Sequence, residues 1–130
     1  MLKLPKEILE RIKCHGENEA PLEACGYLAG EGAEVKEYII MTNTDKSAEH
    51  FSFDPKEQFA AVKTARAKGQ TLIAVCHTHP ASPARMSQED IRLANDPSVK
   101  YVILSLLDAN IECFTVDKDK KLITEKVEVV

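Results

Sequence analysis

Two histidines one residue apart, His77 and His79, precede a proline-stiffened loop that leads to Ser87 and Asp90. Side chains two positions apart on a strand project the same way, so both imidazoles can reach one ion. Thr78 points to the opposite side. So does Cys76, which weakens a nucleophilic pair between Cys76 and His77. Pro80 and Pro83 return the chain to a helix capped by Ser87, with Asp90 as its third residue and its carboxylate near the helix start. Two neutral imidazoles and one carboxylate suit Zn²⁺ and leave a fourth tetrahedral position for water, the mark of a catalytic rather than a structural zinc. Such an ion brings the pKa of its water from ~16 to about 7.

Amide hydrolysis needs more than a nucleophile. A base must take the water's proton and deliver it to the leaving nitrogen, and a donor must face the oxyanion. Ser87 can be that donor while its oxygen still caps the helix. The base should be a carboxylate from elsewhere in the chain, and spacing does not select it. Ser87 and Asp90 also make an ordinary capping pair, a role compatible with catalysis. A His-x-His pair alone is commonly an accident of surface or core. Ser and Asp at fixed positions after a proline loop turn the reading toward a metal. Arg85, in that loop, suits bidentate capture of a carboxylate and reads equally well as a solvated cation.

The elements that must hold these residues follow from periodicity and punctuation. Pro5 opens a helix through Ile8, Leu9 and Ile12 to about Cys14, with Gly16 and the stretch from Asn18 to Pro21 ending it. Cys25 to Ala29 and Val35 to Met41 read as a hairpin about Gly30-Glu31-Gly32. Thr42 to Glu49 is a polar loop, and Phe51 and Phe53 alternate as in a short strand. Asp54-Pro55-Lys56-Glu57 starts a helix to about Lys68, with Glu57 bonding back to the cap, Phe59, Val62 and Ala65 inward, and Gly69 as the stop. The run from Thr71 to Cys76 is apolar throughout, a strand buried on both faces. Ser87 starts a short helix to about Asn95. Tyr101 to Leu107, Ile111 to Val116 and Leu122 to Val129 complete the strands, with Lys118 to Lys121 as a hairpin turn. Helices must cover both faces of the central strand, so the fold class is α/β, a mixed-sheet sandwich.

The chain's 130 residues, 44% apolar and 29% charged, make one domain, residues 1–130, large enough to fold without a stapling metal. A net charge of -4 points away from nucleic acid and anionic membranes. No apolar run approaches the ~20 residues that span a bilayer. Charges interrupt the start, MLKLPKEILERIK, so the expected location is the cytoplasm. There, Cys14, Cys25, Cys76 and Cys113 should remain thiols, with Cys76 and Cys113 buried in strands. His15, near a helix end, and His50, in a loop or at a strand edge, are not expected to be ligands.

Glu23 followed by Cys25-Gly26-Tyr27-Leu28-Ala29-Gly30, and then His77-Thr78-His79, seven residues, Ser87, two residues and Asp90, resembles the JAMM (MPN+) metalloprotease motif. The likeness extends over nearly the whole chain. It implies a cytidine-deaminase-like α/β/α sandwich, the MPN/JAB1 fold. It implies His77, His79 and Asp90 as Zn²⁺ ligands, Glu23 as general acid/base, and Ser87 as stabiliser of the tetrahedral intermediate. The chain is too short for the insertions with which larger members grip ubiquitin chains. It is more similar to the compact prokaryotic branch that acts on ubiquitin-like sulfur-carrier proteins, cutting after a C-terminal Gly-Gly tail. That tail is expected to lie along an exposed strand edge beside Glu23 or along the Thr42 to Phe53 loop. Arg85 would hold the carboxylate of a short leaving group, and a homodimer is left open. The competing reading is a non-catalytic MPN-type scaffold, whose sign is loss of the ligands; here all five positions are filled. A nucleoside deaminase would need P-C-x-x-C and a glutamate two residues after the first ligand, where this chain has His79.

Overall fold

The computed structural model describes residues 1–130. In chain order the elements are β1 (Leu2–Leu4), α1 (Lys6–Glu19), β2 (Cys25–Glu31), β3 (Glu34–Met41), α2 (Pro55–Ala67), β4 (Thr71–His79), α3 (Gln88–Leu93), β5 (Lys100–Ser105), β6 (Ile111–Val116), β7 (Leu122–Glu125) and β8 (Val127–Val129). All strands join one mixed sheet in the order β7-β6-β5-β4-β2-β3-β1-β8. The expected α/β/α sandwich is the observed one. No helix is long and apolar enough to cross a membrane.

Strand β4 lies at the centre, antiparallel to β2 and parallel to β5. Its alternation assigns the two layers. Ala74 and Cys76 pack with Leu28, Val102, Leu104 and the α1 residues Ile8 and Ile12. Val75 packs on the other face against Tyr27, Cys25 and Ala61 of α2. Beside it, Ile103 and Phe114 form a third cluster with Met86 and Ala94, which flank α3. The parallel β4–β5 pairing is why a helix must intervene between these strands, and α3 is that crossover. Cys25, Cys76 and Cys113 are buried free thiols and Cys14 is an exposed one.

Several expectations change on contact with tertiary structure. Helix α1 does not stop near Cys14 but runs through Gly16 to Glu19. Gly16 is kept for packing: a Cβ there would meet Thr78 Cγ2 at 2.8 Å and Leu106 Cδ2 at 3.3 Å. The stretch around Phe51 and Phe53 forms no strand. Asp54 caps α2 by accepting from Lys56 N, as expected, but Glu57 reaches sideways to the backbone N–H and hydroxyl of Thr42. Ala65 is buried as expected, but Phe59 is 63% exposed and Val62 only half-buried, and Ala61 joins Ala65 in the buried stripe of α2. The last strand is two. β7 pairs with β6, the chain breaks at Lys126, and β8 pairs with the unforeseen strand β1 at the opposite edge.

Gly16→Ala tests the α1–β4 contact. Helix propensity alone would stabilise by about 1 kcal/mol. Thr78 cannot rotate away, because its Oγ1 accepts from Ala24 N at 2.9 Å. The expected outcome in urea unfolding is a net loss of about 1–2 kcal/mol, since overpacking exceeds the propensity gain.

Candidate metal centre

Strand β4 continues past Cys76 through both histidines, with His77 opposite Cys25 and Ile103, and His79 opposite Ser105. His77 and His79 are 2% and 4% exposed and share the face covered by α2 and α3. Their Nε2 atoms lie 3.2 Å apart. Asp90 completes the group, with Oδ1 3.4 Å from His77 Nε2 and Oδ2 3.2 Å from His79 Nε2.

Three local devices aim these atoms. His79 Nδ1 donates to Pro83 O at 2.8 Å, so the proline loop fixes the tautomer that leaves the Nε2 lone pair free. Phe51 lies against the His77 ring, centroids 4.7 Å apart. Ser87 and Asp90 form a full capping box: Asp90 N donates to Ser87 Oγ and Ser87 N to Asp90 Oδ2, each at 3.0 Å. The capping bond therefore also orients the carboxylate.

The donor set fits a tetrahedral divalent metal. Bonds of about 2.0–2.1 Å place ligand atoms about 3.3 Å apart along a tetrahedron's edge. The two Nε2 atoms are 3.2 Å apart, each has a different Asp90 oxygen within 3.4 Å, and one ligand atom from each of the three residues lies within 4.8 Å of the others. His77 Nδ1, the ring nitrogen not directed at the other two residues, is buried without a hydrogen-bond partner.

Electrostatics separates the two carboxylates. Burial alone would raise Asp90, but hydrogen bonds with His77 and His79 and the Ser87 amide outweigh it and hold Asp90 well below the usual range. His77 is lowered, mainly by burial. His79 is raised, because its bonds to Asp90 and Pro83 O overcome burial. Glu23 is 3% exposed, and its Oε1 has no partner. Burial pushes it up to about 8; His79 pulls it down, and Asp90 and Glu49 push it further up. Glu23 is held from both sides of its backbone, by its own N–H to Ser47 O at 2.9 Å and by Asn43 Nδ2 to its carbonyl at 3.1 Å. The next residue, Ala24, is tied to Thr78 of β4 through both N–H and C=O.

Arg85 is exposed and lines an open polar hollow of about 420 Å³ with His79, Ser82, Ser87 and Gln88. On the other side of the centre, His77 and Asp90 open into an apolar cavity of about 300 Å³ walled by Tyr27, Phe51, Phe53 and Met86. Sequence reading assigned Phe51 and Phe53 to a strand and missed this wall. The signal was present as two aromatics just before the Asp54-Pro55 helix start. His15 is buried with Nδ1 2.7 Å from Tyr38 Oη, and His50 pairs with Asp45 in the loop; neither joins the centre. β2 is paired on both sides, so the expected free strand edge beside Glu23 is not present.

A family model described as prokaryotic homologs of the JAB domain matches residues 5–117. The CysO-cysteine peptidase of Mycobacterium tuberculosis is 31% identical over 110 residues, 83% of this chain and 75% of that protein. The probable TtuB-protein conjugate cleaving protease of Thermus thermophilus is 36% identical over 104 residues, 79% of this chain and 69% of that protein. A solution structure of a protein from Desulfitobacterium hafniense superposes with a TM-score of 0.91 at 39% identity, covering all of this chain and 93% of the other.

The raised Glu23 predicts a pH dependence of the metal-free protein. Between the ordinary value of 4.5 and about 8 the folded chain keeps a proton that the unfolded chain has released, so stability falls as pH rises through that window. In chelator, Glu23→Gln should exceed wild type at pH 8 by roughly 2 kcal/mol, less than the full shift because solvent relieves part of the penalty. The gap should close toward pH 4. Thermal unfolding of both proteins across that range measures it, and parallel curves would contradict it.

Proposed function

The chain belongs to the prokaryotic JAB-domain family and is a peptidase of the JAMM type; from that premise we propose that it is a zinc enzyme that cuts after the C-terminal Gly-Gly of a ubiquitin-like sulfur-carrier protein. The observation that carries the proposal is the convergence of His77 Nε2, His79 Nε2 and the Asp90 carboxylate, with the two nitrogens 3.2 Å apart and each within 3.4 Å of one carboxylate oxygen. In this reading those three residues hold Zn²⁺. The bound ion supplies a Lewis acid that polarises the scissile carbonyl and makes water acidic near pH 7.

The chain's own residues do the rest. Glu23 takes the proton from the attacking water and passes it to the leaving nitrogen. In the metal-free chain burial raises this carboxyl to about 8, and a divalent cation beside it would draw that value down toward the neutral range, where one group can both take and give a proton. Ser87 Oγ is engaged as acceptor by Asp90 N, so its hydroxyl proton is free to point at the oxyanion. The diglycine tail lies along the Thr42 to Phe53 segment, where side-chain-free residues pass the aromatic wall. Arg85, across the centre beside His79 and Ser87, meets the carboxylate of a short leaving group.

The substrate class is supported by relatives whose names specify CysO-cysteine and TtuB-protein conjugates.

The test incubates zinc-loaded protein with small ubiquitin-like proteins bearing residues after Gly-Gly and reads masses. Wild type should release the extension. Glu23→Gln should keep its metal and lose about 10²–10⁴ in kcat, while His77→Ala should lose the metal. Arg85→Ala should slow removal of a single residue more than removal of a longer extension; an unchanged rate would remove Arg85 from the site. Metal uptake without cleavage of any such substrate would refute the substrate assignment.

A further inference from the structure

Helix α3 carries Asp90, and its cap is Ser87, yet it has only six residues, Gln88–Leu93. So short a helix does not hold itself together in water. Its N-terminus is closed by the capping box, which leaves the C-terminal carbonyls. The basic residue of the last turn, Arg92, does not serve them: its guanidinium pairs with Glu89 at 2.7 Å.

The C-terminus is closed from another element. Lys120, in the β6–β7 turn, places its ammonium 2.6 Å from Ala94 O and 2.8 Å from Asn95 Oδ1. Ile91 O and Arg92 O each lie 3.3 Å away. An ammonium has three protons. Two go to the short contacts, and the third is shared by the two longer ones. The positive charge also meets the negative end of the helix.

A second observation is independent of these contacts. Lys120 has φ 65°, in the left-handed region that favours glycine. Asp117 imposes this: its carbonyl accepts from Lys120 N at 3.0 Å, and its Oδ1 accepts from Asp119 N and Lys121 N at 2.8 and 2.9 Å. A turn of this kind is cheapest with glycine at that position. The lysine is retained against the backbone preference, and the α3 carbonyls are what its side chain reaches.

We propose that Lys120 is a positioning residue that clamps the C-terminus of α3 and thereby holds the Asp90 carboxylate at the distance the two imidazoles require. The inference rests on Asp90 being a metal ligand, and its first readout does not. The lysine touches neither the imidazoles nor a substrate, so it acts through α3 alone.

Lys120→Gly separates this role from general stability, because glycine suits the turn and removes only the ammonium. Hydrogen exchange of the metal-free protein should show the α3 amides about tenfold faster, with β4 amides unchanged. The Zn²⁺ dissociation constant, measured against a competing chelator, should rise about tenfold, the lower end for residues that orient a ligand. The thermal midpoint should stay equal or rise. Lys120→Arg should restore slow exchange and affinity by keeping the charge at the helix end. Wild-type exchange in α3 of Lys120→Gly overturns the proposal, and so does a loss of protection spread equally over β4. A wild-type protein that binds no zinc defeats the metal reading, and α3 exchange alone then decides whether Lys120 clamps the helix.

Discussion

A strand alternates its side chains, and β4 uses that alternation to divide two tasks between its faces. Cys76 and Thr78 face α1. Thr78 bonds Ala24 through its hydroxyl and presents its methyl to Gly16, so the end of β4 is locked to the residue after Glu23. His77 and His79 face the other way and meet Asp90. Burying three polar donors together is unfavourable unless something satisfies them. Here two Nε2 atoms face each other at 3.2 Å beside a buried carboxylate. The core on both sides holds this arrangement in place, and a divalent cation bound to both Nε2 atoms and the carboxylate would relieve all three together. Everything else at the centre depends on that constraint.

The two carboxylates show how one small site separates fixed charge from mobile proton. Asp90 accepts from a helix N-terminus and contacts two imidazoles, so it stays ionised. Glu23 sits two residues before β2 among buried neighbours, with an oxygen that has no donor, and burial pushes its pKa up to about 8. One acid is held as an anion and the other keeps its proton far above the ordinary range, and their environments alone make the difference. The centre also divides two spaces, an aromatic cavity on the His77 side and a polar hollow on the His79 side.

What could be read in advance was what depends on short spans of chain. The His-x-His spacing, the Ser87 cap with Asp90 three residues on, the Asp54-Pro55 helix start and the buried run of β4 each encode their geometry within a few residues, and each is present. Glu23 was found only through its likeness to a known motif, because nothing local distinguishes one acid before a strand from another. The rest was set by distant partners. Gly16 resembled a helix stop until its contact with Thr78 supplied another reason for a glycine. Phe51 and Phe53 alternate as a strand would, but their partners are Tyr27 and His77 rather than a neighbouring backbone. Lys120 looked like one charge in a polar turn, and only the packing of β6–β7 beside α3 reveals its four acceptors. The terminal strand divides because β1, three residues long, offers a second edge for the chain to join.

The central claim concerns two particular nitrogen atoms among four histidines, and those nitrogens can be observed. Nitrogen-15 NMR of the imidazole rings, recorded while Zn²⁺ is added to metal-free protein to one equivalent, follows each ring separately. His77 and His79 should both move to the signature of Nε2 coordination, saturating at one ion per chain. His15 and His50 should not move. Coordination at His15 or His50, through Nδ1 of His79, or at no ring at all would contradict it.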